Sequence, residues 1–241
     1  MKKSTATLFA YAAVFAALCT AVFGCVPASA PEGASGAKPE SVYLSEGGEY
    51  VEYLIVSRDY GGGILLLRRE LMPELMPISD HFAGYDSSSI DKYLSGEFIE
   101  LFPKETQEKM MYAEVETASD EALYTLGEQT HIIKRRAFLL SYREVSYSKL
   151  YMAPDEGEPL SCFTSDASRI AYRGGSPCSW WLRTPYTNYD SVTWCVGGDG
   201  VKTDVSSNIN NGIRPAICFS GDVRFVQSTE AVPGKSVLVI E

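Results

Sequence analysis

The sequence predicts an α+β domain with an N-terminal hairpin, two helices and a β-rich C-terminal half, and three observations carry this. Two β-rich runs flank Asp59-Tyr60-Gly61-Gly62-Gly63. Two stretches with helical spacing follow, and the last third is filled with short apolar runs between Gly and Asn turns. With 241 residues, 45% of them hydrophobic, the chain suits one domain plus extensions.

Residues 1–24 read as a secretory signal: Lys2 and Lys3 precede an uncharged run from Ser4 to Gly24. Val22-Phe23-Gly24-Cys25 resembles a bacterial lipobox, which makes Cys25 the lipidation site and the membrane a partner through a lipid anchor. Ala28-Ser29-Ala30 offers a cleavage site and a freely secreted product instead, and a retained membrane anchor is a third outcome. All three place the domain outside the cytoplasm. Residues 25–41 form a tether rich in Ala, Pro, Gly and Ser, a composition that cannot repay the entropy of ordering. Losing the leader removes two lysines, so 21 basic residues become 19 against 31 acidic ones and the formal charge goes from -10 to -12. Such a surface repels nucleic acid and anionic lipid, and its scattered acids otherwise serve solubility.

The domain proper is expected over 42–220. Residues 49–71, EYVEYLIVSRDYGGGILLLRREL, form the hairpin, because consecutive glycines supply the positive φ angles of a reversal. Ile90, Tyr93, Leu94, Phe98 and Leu101 then recur at helical spacing behind Ser88 and Asp91, the spacing of a capping box. Pro103 ends that helix and opens a second, KETQEKMMYAEV. Signals are weak between Thr117 and Arg136, and residues 137–141, AFLLS, suit a buried strand. SWWLRTP, SVTWCV, VKTDV and IRPAICF follow as strands, with Asp199-Gly200 as a hairpin turn. Residues 221–241 add a terminal β extension around Pro233-Gly234.

Taken in order, LIVSRDYGGGILLLRREL, SSSIDKYLSGEF, AFLLSYREV, SWWLRTP, GGDGV and GIRPAICF resemble the bacterial domain-of-unknown-function family 6273 over residues 50–219. Its motif residues here are Trp180, Trp181, Arg183 and Pro185, then Gly212, Arg214 and Pro215. The resemblance implies an exported module with a C-type-lectin-like sheet of the formylglycine-generating-enzyme type, a fold that by itself names no chemistry.

No nucleophile elbow, zinc-protease helix or phosphate loop is present, and His81 and His131 lie in no metal-binding spacing, so no catalytic residue, metal or cofactor is assigned. Cys162, Cys178, Cys195 and Cys218 remain after export, and an even count there suggests disulfides, with unpaired buried thiols as the alternative. Alternation along a strand allows at most one of Trp180 and Trp181 into the main core. Arg183 and Arg214 sit in apolar motifs, where a guanidinium either satisfies buried carbonyls or binds a ligand carboxylate, and the structural role is favoured. Asp190, Asp199 and Asp204 suit turns better than calcium. Tyr186, Asn188 and Tyr189, with Asn208, Asn210 and Asn211, are the candidate ligand contacts, in the loops 186–191 and 206–211. The leading expectation is a lipid-anchored, non-catalytic envelope protein that binds a glycan or a surface protein or serves a structural role. The alternative is a thiol-dependent exported enzyme of formylglycine-generating-enzyme-like architecture.

Overall fold

The computed structural model describes residues 39–79, 84–119 and 129–241. Cys25, the leader, most of the tether and His81 lie outside the described residues. β1 (Ser41–Glu46) pairs antiparallel with β2 (Glu49–Tyr60). β2 then reverses through Gly61 and Gly62, at φ 58° and 83°, into β3 (Gly63–Arg68), forming the hairpin that the glycines predict. After β4 (Leu75–Met76) and a 3-10 turn at Tyr85–Ser87 come α1 (Ser89–Ser95), α2 (Glu97–Glu100) and α3 (Lys104–Lys109). β5 (Ala113–Ala118) pairs antiparallel with β6 (Thr130–Arg135), and β7 (Ala137–Phe138) is brief. α4 (Asp166–Arg169) precedes a small hairpin of β8 (Ala171–Arg173) and β9 (Ser176–Cys178). β10 (Trp180–Pro185), β11 (Val192–Val196), β12 (Lys202–Ser206), β13 (Asn211–Gly212) and β14 (Ala216–Ser220) follow. β15 (Phe225–Ser228) and β16 (Val237–Ile240) close the chain.

Two sheets dominate. One has seven strands in the order β15-β16-β1-β2-β3-β14-β7, and the other has five in the order β12-β11-β10-β13-β4. β16 adds parallel to β1, which makes the C-terminal hairpin continuous with the main sheet. Every residue of β3 and of β10 is buried, so both strands are covered on both faces.

The α+β, C-type-lectin-like expectation is corrected by this architecture. Strand makes up 41% of the described residues and helix 13%, spread over several sheets and a few one- or two-turn helices. The first predicted helix breaks at Gly96 (φ −118°, ψ −97°), leaving α1 with seven residues and α2 with four. Ser88 Oγ does accept from the Asp91 N–H at 3.0 Å, but the Asp91 carboxylate turns away to Arg135, 2.8 Å from its Nε. The second helix stops at Lys109, because Ala113, Val115 and Thr117 point inward at strand spacing and their backbone pairs with β6. Tertiary pairing overrides the local helix propensity of that stretch.

Candidate binding site

The strand that carries the tandem tryptophans sets the geometry. Trp180 and Trp181 are both fully buried, against the expectation that only one would be, because β10 has protein on each side. Trp180 Nε1 donates to the Arg169 carbonyl at 3.1 Å and Trp181 Nε1 to the Met76 carbonyl at 2.8 Å, so neither indole buries an unpaired N–H. Gly212 beside them is required by space: a Cβ there would lie 2.5 Å from both the Ser179 carbonyl and Leu71 Cδ1.

Arg183 stands at the centre of a buried polar cluster. Its guanidinium grips Glu144 in a bidentate pair, Nη1 to Oε2 at 2.7 Å and Nη2 to Oε1 at 3.1 Å, with both side chains fully buried. It also donates to the carbonyls of Leu139 and Glu116, each at 2.9 Å. Glu144 further accepts from Tyr60 Oη at 2.6 Å and from the Ser141 N–H at 2.8 Å. Burial works against the Arg183 charge, yet Glu144, Tyr60 and Glu156 hold its pKa above the usual arginine value. Glu156 lies in the same cluster, accepting from the Ala118 N–H at 2.7 Å and from Thr184 Oγ1, and burial pushes its carboxyl up despite Arg183. Glu144 and Glu156 come from loop sequence and were not singled out, since a loop carboxylate gives no sign of an inward course. Every polar atom of this cluster named here has a protein partner, which fits it for holding β10 to its neighbours.

β10, β11 and β12 share one end, and there the two Tyr/Asn loops meet. The Ser207 N–H donates to the Ser191 carbonyl at 2.8 Å, and Thr193 Oγ1 and Ser207 Oγ are 2.8 Å apart. Within the first loop the Tyr186 N–H donates to the Val192 carbonyl and the Tyr189 N–H to that of Tyr186. Asn188 holds φ 68°, a left-handed conformation that asparagine tolerates. Tyr189 meets Tyr186 edge-on at 5.5 Å, Tyr186 stacks on Trp194 at 5.3 Å, and Trp194 meets Tyr142 at 4.8 Å. Trp194 Nε1 donates to the Met152 carbonyl, which also accepts from the Thr187 N–H. A column of four rings therefore runs from the interior to Tyr189, which is 56% exposed.

Asn188, Asn208 and Asn210 are exposed in these two loops, and Asn208 Oδ1 accepts from Ser206 Oγ at 2.9 Å. Asn211 is buried instead, its Oδ1 accepting from Ser179 Oγ and the Gly212 N–H, so it braces β13. Asp199 Oδ1 accepts from the Val201 N–H within its turn. Among the described residues no group of three or more His, Cys, Asp or Glu side chains could hold a metal ion. His131 Nε2 lies 3.2 Å from Asp86 Oδ2.

The family model for a domain of unknown function, DUF6273, matches residues 62–221, from the turn before β3 to the end of β14. The chain belongs to the DUF6273 family. No curated protein and no solved structure matches this DUF6273 chain. Its two motif blocks are neighbours in space, with Trp180 of the first paired to Gly212 of the second.

The disulfide expectation is corrected as well: Cys162, Cys178, Cys195 and Cys218 are all free. Cys195 and Cys218 belong to different sheets, opposite Thr203 and Leu65. Burial pushes the thiols of both up to about 12 and that of Cys162 up to about 11, which leaves little thiolate for nucleophilic or redox work.

Proposed function

We propose that this protein is an exported, lipid-anchored component of a bacterial cell envelope that binds a ligand without catalysis, through the surface formed by Tyr186, Asn188, Tyr189, Asn208 and Asn210. The observation that carries this reading is the convergence of the two loops beside a stacked aromatic column with an exposed outer ring. A ring at the end of a stacked column presents apolar area with little entropy left to lose, and the exposed amides of the two loops add hydrogen-bonding groups; glycan and protein surfaces are recognised with such parts. The leader and the lipobox-like Val22–Cys25 support attachment, and they lie outside the described residues. No helix among the described residues is long and apolar enough to cross a membrane.

A glycan array and a cell-surface pull-down with the purified protein test the reading, comparing it with the variant Tyr186→Ala, Tyr189→Ala, Asn210→Ala. Loss of about tenfold or more in affinity for a detected ligand is expected, because exposed aromatic contacts of this kind are commonly worth more than about 1 kcal/mol each. An unchanged set of interactions would exclude this surface. Mass spectrometry of the mature N-terminus checks the anchor: acylated Cys25 is expected, and a chain starting at Pro31 would make the protein freely secreted.

A further inference from the structure

Arg183 and Arg214 are both buried motif arginines, but among the described residues only Arg183 has a carboxylate partner. Arg214 is 3% exposed and forms no ion pair among the described residues. Its Nε donates to the Arg68 carbonyl at 3.0 Å, Nη2 to that of Arg69 at 3.3 Å and Nη1 to that of Arg169 at 3.5 Å, and its guanidinium lies 5.1 Å from the centre of the Trp180 ring. Three of the five N–H groups of a guanidinium are used in this way, so one on each Nη has no acceptor among the described residues. Buried charges are ordinarily paired. Burial lowers the pKa of Arg214 to about 10, and the Arg69 charge adds to that lowering.

The place where this unpaired cation sits is a cavity of about 420 Å³, within the range of small-molecule sites. Leu54, Val56, Leu67 and Phe163 give it apolar walls, and Arg69 stands in it as a second cation, with Glu52 3.2 Å from its Nε. Arg214 and Cys162 both line it, and the Cys162 thiol feels the Arg214 charge. The protein as a whole is strongly acidic, but screening confines that repulsion to about 8 Å at physiological ionic strength. Inside the cavity the local charge is positive.

We propose that this cavity binds a small molecule with an apolar body and a carboxylate, the carboxylate pairing with Arg214 and the body lying against Leu54, Val56 and Leu67. The site is separate from the Tyr/Asn surface. Isothermal titration calorimetry with octanoate, and with octanamide as the uncharged counterpart, tests it on the intact purified protein. Octanoate is expected to bind, with octanamide at least about tenfold weaker, the difference a desolvated guanidinium makes. Arg214→Gln should remove that preference; because this change is in the interior, Ala167→Trp at the exposed rim supplies a second variant, expected to block octanoate with the fold intact by circular dichroism. Tyr189→Ala should leave octanoate binding unchanged, which separates this site from the aromatic surface. Equal binding of acid and amide, no binding of either, or full octanoate binding by Ala167→Trp would overturn the proposal.

Discussion

Replacing Glu144 by Gln should be among the most damaging single changes of nearly constant shape in this protein. Glu144 Oε1 takes the Tyr60 hydroxyl and Arg183 Nη2, while Oε2 takes Arg183 Nη1 and the Ser141 N–H. An amide nitrogen at the Oε2 position faces two N–H donors, and one at the Oε1 position faces Arg183 Nη2 and forces the Tyr60 hydroxyl to turn its hydrogen away. The larger effect is electrostatic: Arg183 keeps its charge, is fully buried and loses the carboxylate that grips it. Removing one partner of a buried ion pair destabilises by about 3–5 kcal/mol, against a total of about 5–15 kcal/mol for a typical domain.

Urea unfolding followed by tryptophan fluorescence measures this directly, since Trp180 and Trp181 are both buried. The expected result is a drop of about 3–5 kcal/mol with an unchanged denaturant slope. A double-mutant cycle isolates the pair: in an Arg183→Met background, Glu144→Gln should lose at least about 2 kcal/mol less than in the wild type. A loss below about 1 kcal/mol, or two changes that simply add, would refute the reasoning that Glu144 neutralises Arg183.

Glu156 should couple stability to pH in the opposite sense to an ordinary paired carboxylate. Burial raises its folded pKa above the usual 4.5, so folding takes up a proton in that window; its contribution is largest below 4.5 and is lost as pH rises through the folded value, a slope that Glu156→Gln should flatten in urea titrations at several pH values. Cys195 and Cys218, buried with thiols pushed up to about 12, should resist a disulfide reagent near about pH 8 in the native protein and react once denaturant is added. Gly200→Ala should destabilise by more than about 1 kcal/mol in the same unfolding assay, because φ there is +84° and the new Cβ would lie 1.9 Å from the Asp166 carbonyl oxygen.

What could be read from the sequence were the features that local chemistry determines. The glycines at 61 and 62 announced the first hairpin and Asp199-Gly200 announced β11–β12, because a positive φ leaves few residues to choose from. The Tyr/Asn segments were legible as loops, though not that Ser207 would meet Ser191, sixteen positions earlier in the chain, and bring them together. The overestimate of helix came from judging KETQEKMMYAEV by propensity alone. Its last three residues, Ala113 to Val115, are drawn into a strand by β6, a segment whose own pattern is faint and whose pairing is visible only in space. The tryptophans were misjudged for a related reason: alternation assigns neighbours to opposite faces, and only the tertiary structure reveals that both faces are covered.

The two arginines show where sequence reading stops and why the candidate sites lie where they do. Each follows the same logic in the chain, a cation inside an apolar β motif. For Arg183 the question is closed by Glu144, 39 positions away, which enters the interior from a loop. For Arg214 no such residue arrives among the described residues, and carbonyls of three positions hold the guanidinium without neutralising it. A fold that satisfies one buried cation completely and leaves the other beside a cavity has the means to pair both. The absence of a carboxylate at Arg214 is therefore a property of the site, and the structural role foreseen for both arginines accounts fully for Arg183 alone.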